Sequence, residues 1–169
     1  MKKRSIWAIA LIAFINTSGA LAAQSPAEKI LDSLAVKGRA PKTGYDRAQF
    51  GQRWADINRN GCDTRNDILQ RDLANIVFKP GTHNCLVLSG DLIDPYSGTT
   101  INFVRGNITS MEVQIDHVVA LGNAWVTGAF KLSLEKRTEF ANDPINLLAV
   151  KGSLNSQKQD GDAATWCHR

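Results

Sequence analysis

One stretch of this 169-residue chain restricts its fold more than any other: Glu112 to Lys158. An apolar strand there carries adjacent Asp116 and His117 at its end, inside Ile115–Val119. Asn146 opens a second apolar strand, with Leu147, Leu148, Ala149 and Val150 behind it. Gly152 and Ser153 start a helix that places Asn155 and Lys158 about one turn apart. Two short strands and a short helix cannot bury their apolar faces alone, so they must pack on each other and on what flanks them. The expected fold class is therefore α+β in one domain, with flanking helices and a β-hairpin.

The flanking pattern is read in order. Ser25-Pro26-Ala27-Glu28 is a capping-box start with Pro at the first helical position, and the helix it opens should run to about Val36 and stop at Gly38. Arg39 to Gly44 reads as a Pro/Gly linker. Phe50 and Trp54 suit one face of a helical turn, and Asp67 and Arg71 an i,i+4 pair on a solvated face. Thr64 is the expected cap of a helix burying Ile68, Leu69, Leu73 and Ile76. A hairpin should span Leu86 to Arg105 around the DPYSG turn, followed by a strand from Met111 to Val119. Helices are expected over Asn123–Phe130 and Leu134–Ala141, the second capped by Ser133, and Asp162 should cap a last turn ending at Trp166.

The ends decide compartment and charge. Lys2, Lys3 and Arg4 precede an apolar run from Ile6 to Ile15, then Ala20-Leu21-Ala22, the layout of a cleaved bacterial export signal over residues 1–22. The run is too short for a retained membrane anchor. The expected product is secreted or periplasmic, with an N-terminal helix and linker over residues 23–43 and one domain over residues 44–169. The formal charge of +4 includes the three basic residues of the signal, which leaves about +1 afterwards. A global basic field is thereby excluded, and any grip on phosphates must be local. Of Cys62, Cys85 and Cys167, two should pair in an oxidising compartment; Cys62–Cys85 is the expected bridge, with Cys167 left over. No C-x-x-C or H-x-x-x-H spacing supports zinc.

The polar groups at the junctions suit metal-dependent phosphodiester hydrolysis, which needs an activated water and positive charge on the departing oxygen. One hard divalent cation and one neutral imidazole supply both. Asp116 offers a carboxylate and Asn155 an amide oxygen, ligands for Mg²⁺ first and Mn²⁺ second. Neighbouring strand residues point opposite ways, so Asp116 and His117 can share one site only if the strand bends there. Asn146 could brace such a bend through its backbone bonds.

IDHVVAL, NLLAV and N-S-Q-K resemble the ββα-metal (HNH, His-Me finger) nucleases. More closely, the chain is similar to secreted HNH endonucleases related to the C-terminal domain of GmrSD-type restriction endonucleases. YDRAQFG, CDTRNDIL, DPYSG, GNAWVTGA, FANDPINLLAV and DGDAATW carry the likeness from Gly44 to Trp166. The resemblance implies a ββα-metal core, with Asp116 and Asn155 on the metal, His117 as general base and Asn146 as the structural middle residue. Lys158 would face a phosphate, and Arg137 is a second phosphate candidate set against a plain exposed helix face. The implied activity is endonucleolytic hydrolysis of DNA, with RNA also open, by a monomer. The interval between His117 and Asn146 is long for such a core, and further residues are expected beyond Trp166. A binding module without turnover and a hydrolase of another substrate are the alternatives. Arg65 either anchors the site or pairs locally; His83 reads as a loop histidine, His168 as terminal, and Trp54, Trp125 and Trp166 as core or rim.

Overall fold

The computed structural model describes residues 23–166. The segment expected as an export signal, Cys167 and His168 lie outside them. The chain divides into two units, Met1–Val36 and Lys37–Arg169. The first contains α1 (Pro26–Ser33), closed at its start by the expected capping box between Ser25 and Glu28. It is shorter than its apolar spacing suggests: Leu34 is already extended, and none of the helix residues is buried. An apolar face with nothing to cover it adds little to a short helix.

The second unit includes the segment expected as a linker, since the Ala40 amide donates to the Val126 carbonyl at 2.7 Å. Arg47–Phe50 forms a 3₁₀ turn and Gly51 leaves it at φ 74°. Trp54 then sits at φ 56°, so the single helical face expected for Phe50 and Trp54 does not form. Helix α2 spans Thr64–Asp72 and is capped by Asp63, one residue before the expected cap, while Thr64 turns its hydroxyl to the Ala55 carbonyl. Arg71 pairs with adjacent Asp72 rather than Asp67, and it also donates to the Pro144 and Leu147 carbonyls, each at 2.7 Å.

The largest departure follows. Leu73 and Ile76 were expected to continue α2, but Leu73–Phe78 is strand β1. It pairs antiparallel with β2 (Val87–Ile93), which pairs with β3 (Thr100–Val104). The hairpin is thus present and gains a third strand. Helical spacing of Leu73 and Ile76 is a weak preference beside the backbone ladder that β2 offers. Cys62 and Cys85 are bonded across this region, with Cα atoms 4.9 Å apart, as expected. A bridge closing a loop of this size stabilises by roughly 3 kcal/mol.

A second, two-stranded sheet pairs β4 (Val113–His117) with β5 (Leu147–Lys151), running from Val113↔Lys151 to His117↔Leu147. Between them lie α3 (Leu121–Thr127), stopped by Gly128 at φ 135°, and α4 (Leu134–Ala141), capped by Ser133. Helix α5 (Gly152–Lys158) follows β5 directly. Ile68 and Leu69 of α2 share one core with Val87, Phe103, Val113 and Leu147, so α2 joins the two sheets. A second core gathers Phe50, Leu121 and Trp125 with Ala141.

Gly152 is required where α5 meets β4. Its amide donates to the Glu112 carbonyl at 2.9 Å, and a Cβ there would strike the Met111 carbonyl oxygen. Gly152→Ala is expected to cost about 1–3 kcal/mol through forced backbone movement. Urea unfolding checks this, and an unchanged midpoint would show that the junction yields freely.

Candidate active site

β4 carries Asp116 and His117 to the floor of a cavity of about 180 Å³, which Asn155 also lines. Both are buried, at 4% and 7% exposure. The bend that lets neighbouring residues face one cavity is held by Asn146. Its carbonyl accepts from the Val118 amide, and its side-chain oxygen from the Val119 amide, both at 2.8 Å; its Nδ2 donates to the Val119 carbonyl at 3.3 Å. Three bonds from one asparagine thus fix the residues just past the Asp-His pair.

His117 is oriented from the far side. Its Nε2 lies 2.9 Å from the carbonyl oxygen of Ala141 at the end of α4. A carbonyl can only accept, so Nε2 carries the proton and the neutral ring keeps its lone pair on Nδ1. Burial lowers the His117 pKa first, and the charges of Arg47 and Lys158 push the same way; the Ala141 bond and Asp116 act against them. The Trp54 ring lies nearly parallel to the imidazole, at 14° with centroids 6.2 Å apart.

Asp116 is held by two donors. The Tyr96 hydroxyl donates to Oδ2 at 2.6 Å, and Lys158 Nζ lies 3.0 Å from Oδ2 and 3.1 Å from Oδ1. Lys158 is itself buried, and its ammonium also donates to the His117 carbonyl at 2.9 Å. Its donors are therefore aimed at the Asp-His pair. Burial and the bond to Asp116 hold the Tyr96 hydroxyl pKa well above its usual range, which keeps it a donor. On α5, Asn155 Nδ2 donates to Gln114 Oε1 at 2.9 Å, which leaves the carboxamide oxygen as an acceptor.

The structure thus brings Asp116, His117, Asn146, Asn155 and Lys158 together. It does not bring Arg137 with them. That guanidinium donates to the Gln49 carbonyl at 2.5 Å and to the Leu132 carbonyl, and lies over the Trp125 ring. Two cavity residues escaped the sequence reading as site members. Arg47 and Asp160 line the same cavity as Asp116, with Asp160 paired to Lys42. Tyr96 was also missed. Arg47 and Tyr96 stand in YDRAQFG and DPYSG, blocks that carried the resemblance, and that was the available signal.

Among the described residues, no cluster of three or more His, Cys, Asp or Glu could hold a metal ion. A cation here would rest on Asp116 and the amide oxygen of Asn155. Asp116 Oδ1 accepts from Lys158 and, with two lone pairs, has one more position to give. Two oxygen donors with solvent completing the shell fit a hard ion such as Mg²⁺ and lack the nitrogen and sulfur ligands zinc favours.

The chain matches the family described as GmrSD restriction endonucleases, C-terminal domain, over residues 63–164. An uncharacterized secreted protein of Arthroderma benhamiae is 33% identical over 164 residues, covering 96% of this chain and 75% of that protein. No solved structure matches the chain. Among the described residues no helix is long and apolar enough to cross a membrane. The matched segment runs through β4, β5 and α5 and so contains Asp116, His117, Asn146, Asn155 and Lys158; the chain belongs to the nuclease-related family of GmrSD restriction endonuclease C-terminal domains.

Proposed function

We propose that this protein is an exported, metal-dependent endonuclease of the ββα-metal type that hydrolyses phosphodiester bonds in DNA. The observation that carries the reading is the His117 ring. Its pKa is lowered by burial, it donates from Nε2 to Ala141 and so keeps its lone pair on Nδ1, and it lines the cavity that Asp116 and Asn155 also line. That is the protonation state a general base needs.

His117 Nδ1 takes a proton from a water whose oxygen attacks phosphorus. The bond from phosphorus to the 3′ oxygen breaks, and that oxygen takes a proton from solvent. The products are a 5′-phosphate and a 3′-hydroxyl. A divalent cation on Asp116 and Asn155 would supply Lewis-acid stabilisation of the charge that develops on the phosphate and the leaving oxygen. Asn146 keeps the imidazole in line by fixing the backbone beyond it. Lys158 serves the phosphate indirectly, by holding the carboxylate.

Nicking of supercoiled plasmid by the purified protein tests this. Cleavage is expected with Mg²⁺ or Mn²⁺ and lost with EDTA, with no hydrolysis of casein. No cleavage with either ion, or cleavage that survives EDTA, overturns the proposal.

The acid limb of the pH profile adds a second check. A depressed pKa keeps the imidazole unprotonated below the ordinary 6.5, so activity should fall only as pH drops through a midpoint under that value. A limb at or above 6.5 would mean that burial does not control the base.

A further inference from the structure

We infer that Arg47, Arg53 and Arg65 form a groove beside the Asp116–His117 cavity that grips phosphates of a polynucleotide strand next to the one being cut. The inference rests on the endonuclease reading and names how that site would hold its substrate. Three cavities adjoin, and Arg47 lines all of them. One holds Asp116, His117 and Asn155; a second, of about 260 Å³, lies between Arg53, Trp54 and His117. The third, of about 410 Å³, runs from Arg53 and Trp54 past Arg65 to Asn155. A strand lying along the second and third would pass the imidazole on one side and the amide ligand on the other.

The charge in the groove is not neutralised from within. Among the described residues Arg47, Arg53 and Arg65 make no ion pair with a carboxylate, whereas Arg39, Lys42, Arg71, Lys136 and Lys158 do. The Arg65 guanidinium spends one donor on the Val113 carbonyl at 3.2 Å, and Arg53 lies over the Trp54 ring at 5.4 Å. Burial, then the neighbouring charges of Arg105 and Arg53, lower the Arg65 pKa. Asp63 acts against that lowering at Arg65, but guanidinium groups this close with no carboxylate in ion-pair contact favour an anion with several acceptors, and a phosphate accepts from two N–H groups at once. With a net charge of only about +1 after the signal, this patch is the local grip that the sequence requires. Arg47 and Arg53 stand N-terminal to the family-matched segment.

The test is binding of a fluorescein-labelled oligodeoxynucleotide in EDTA across a salt series, beside hydrolysis of the oligonucleotide and of bis(p-nitrophenyl) phosphate with Mn²⁺. Arg53→Gln and Arg65→Gln are each expected to weaken binding about tenfold or more and to make the salt slope shallower by about one. Their loss in kcat/KM should be larger on the oligonucleotide than on the small diester. Arg53 is exposed, so Arg53→Gln remains informative if the half-buried Arg65 variant fails to fold. Wild-type affinity and slope in Arg53→Gln would overturn the groove, as would inorganic phosphate binding as tightly as the oligonucleotide. Arginine-dependent binding without any hydrolysis would leave the groove standing and sink the endonuclease reading instead.

Discussion

Replacing His117 with alanine is expected to lower DNA turnover by roughly 10²–10⁴-fold while metal and DNA binding stay nearly intact. The imidazole is the group in this cavity with a neutral, basic nitrogen, and its orientation is set by Ala141 at 2.9 Å. Asp116→Ala and Asn155→Ala should instead weaken metal binding, with excess Mn²⁺ recovering part of the activity. Asn146→Ala should act through position: it removes two side-chain bonds to Val119, and a displacement of about 1 Å can cost on the order of 10²-fold. His83 is exposed in a turn at φ 49°, so its replacement should change little. Single-turnover cleavage with metal-binding titrations separates these roles. Near-wild-type turnover in His117→Ala at neutral pH, or a larger loss on replacing His83, would refute the assignment.

The second large effect is on stability. Lys158→Met leaves Asp116 buried at 4% exposure with Tyr96 as its one remaining charge-free donor among the side chains described above. Removing one partner of a buried ion pair typically costs about 3–5 kcal/mol, because the other charge stays desolvated. Against a total of roughly 5–15 kcal/mol for a domain, that is a large share, and it corresponds to a fall in Tm of roughly 6–20 °C. Adding Asp116→Asn to Lys158→Met removes the stranded charge, keeps an acceptor for Tyr96, and should restore much of the stability but no activity. Calorimetry on the wild type and these two variants decides. A loss of under about 1 kcal/mol in Lys158→Met would mean that solvent reaches the pair and the burial argument fails.

The strand-strand-helix order of the site region was legible because each element carried its own local signal. Leu147–Lys151 is apolar and bounded by Asn146 and Gly152, and Ser133 caps its helix as expected, whereas the helix expected over Asn123–Phe130 runs over Leu121–Thr127 and stops at Gly128. The Cys62–Cys85 bridge was legible too, since the expected oxidising compartment and three cysteines left few choices. The end of α2 was not. Ile68, Leu69, Leu73 and Ile76 share helical spacing, and nothing within that window reports that β2 will be alongside to pair with Leu73–Phe78.

The same division runs through the site. Residue order already shows which chemistry-bearing residues exist and where along the chain they fall: Asp116 beside His117, Asn146 at a strand start, Asn155 and Lys158 a turn apart on a helix. Tertiary structure alone decided their partners. Lys158 turned inward to Asp116, Arg137 went to backbone carbonyls, and Arg47, Arg53 and Arg65 gathered around an adjoining cavity from a segment far earlier in the chain. The reason is physical. Secondary structure follows from short-range periodicity and capping, whereas hydrogen-bond and ion-pair partners are chosen by burial, which brings together groups whose separation along the chain carries no local signal.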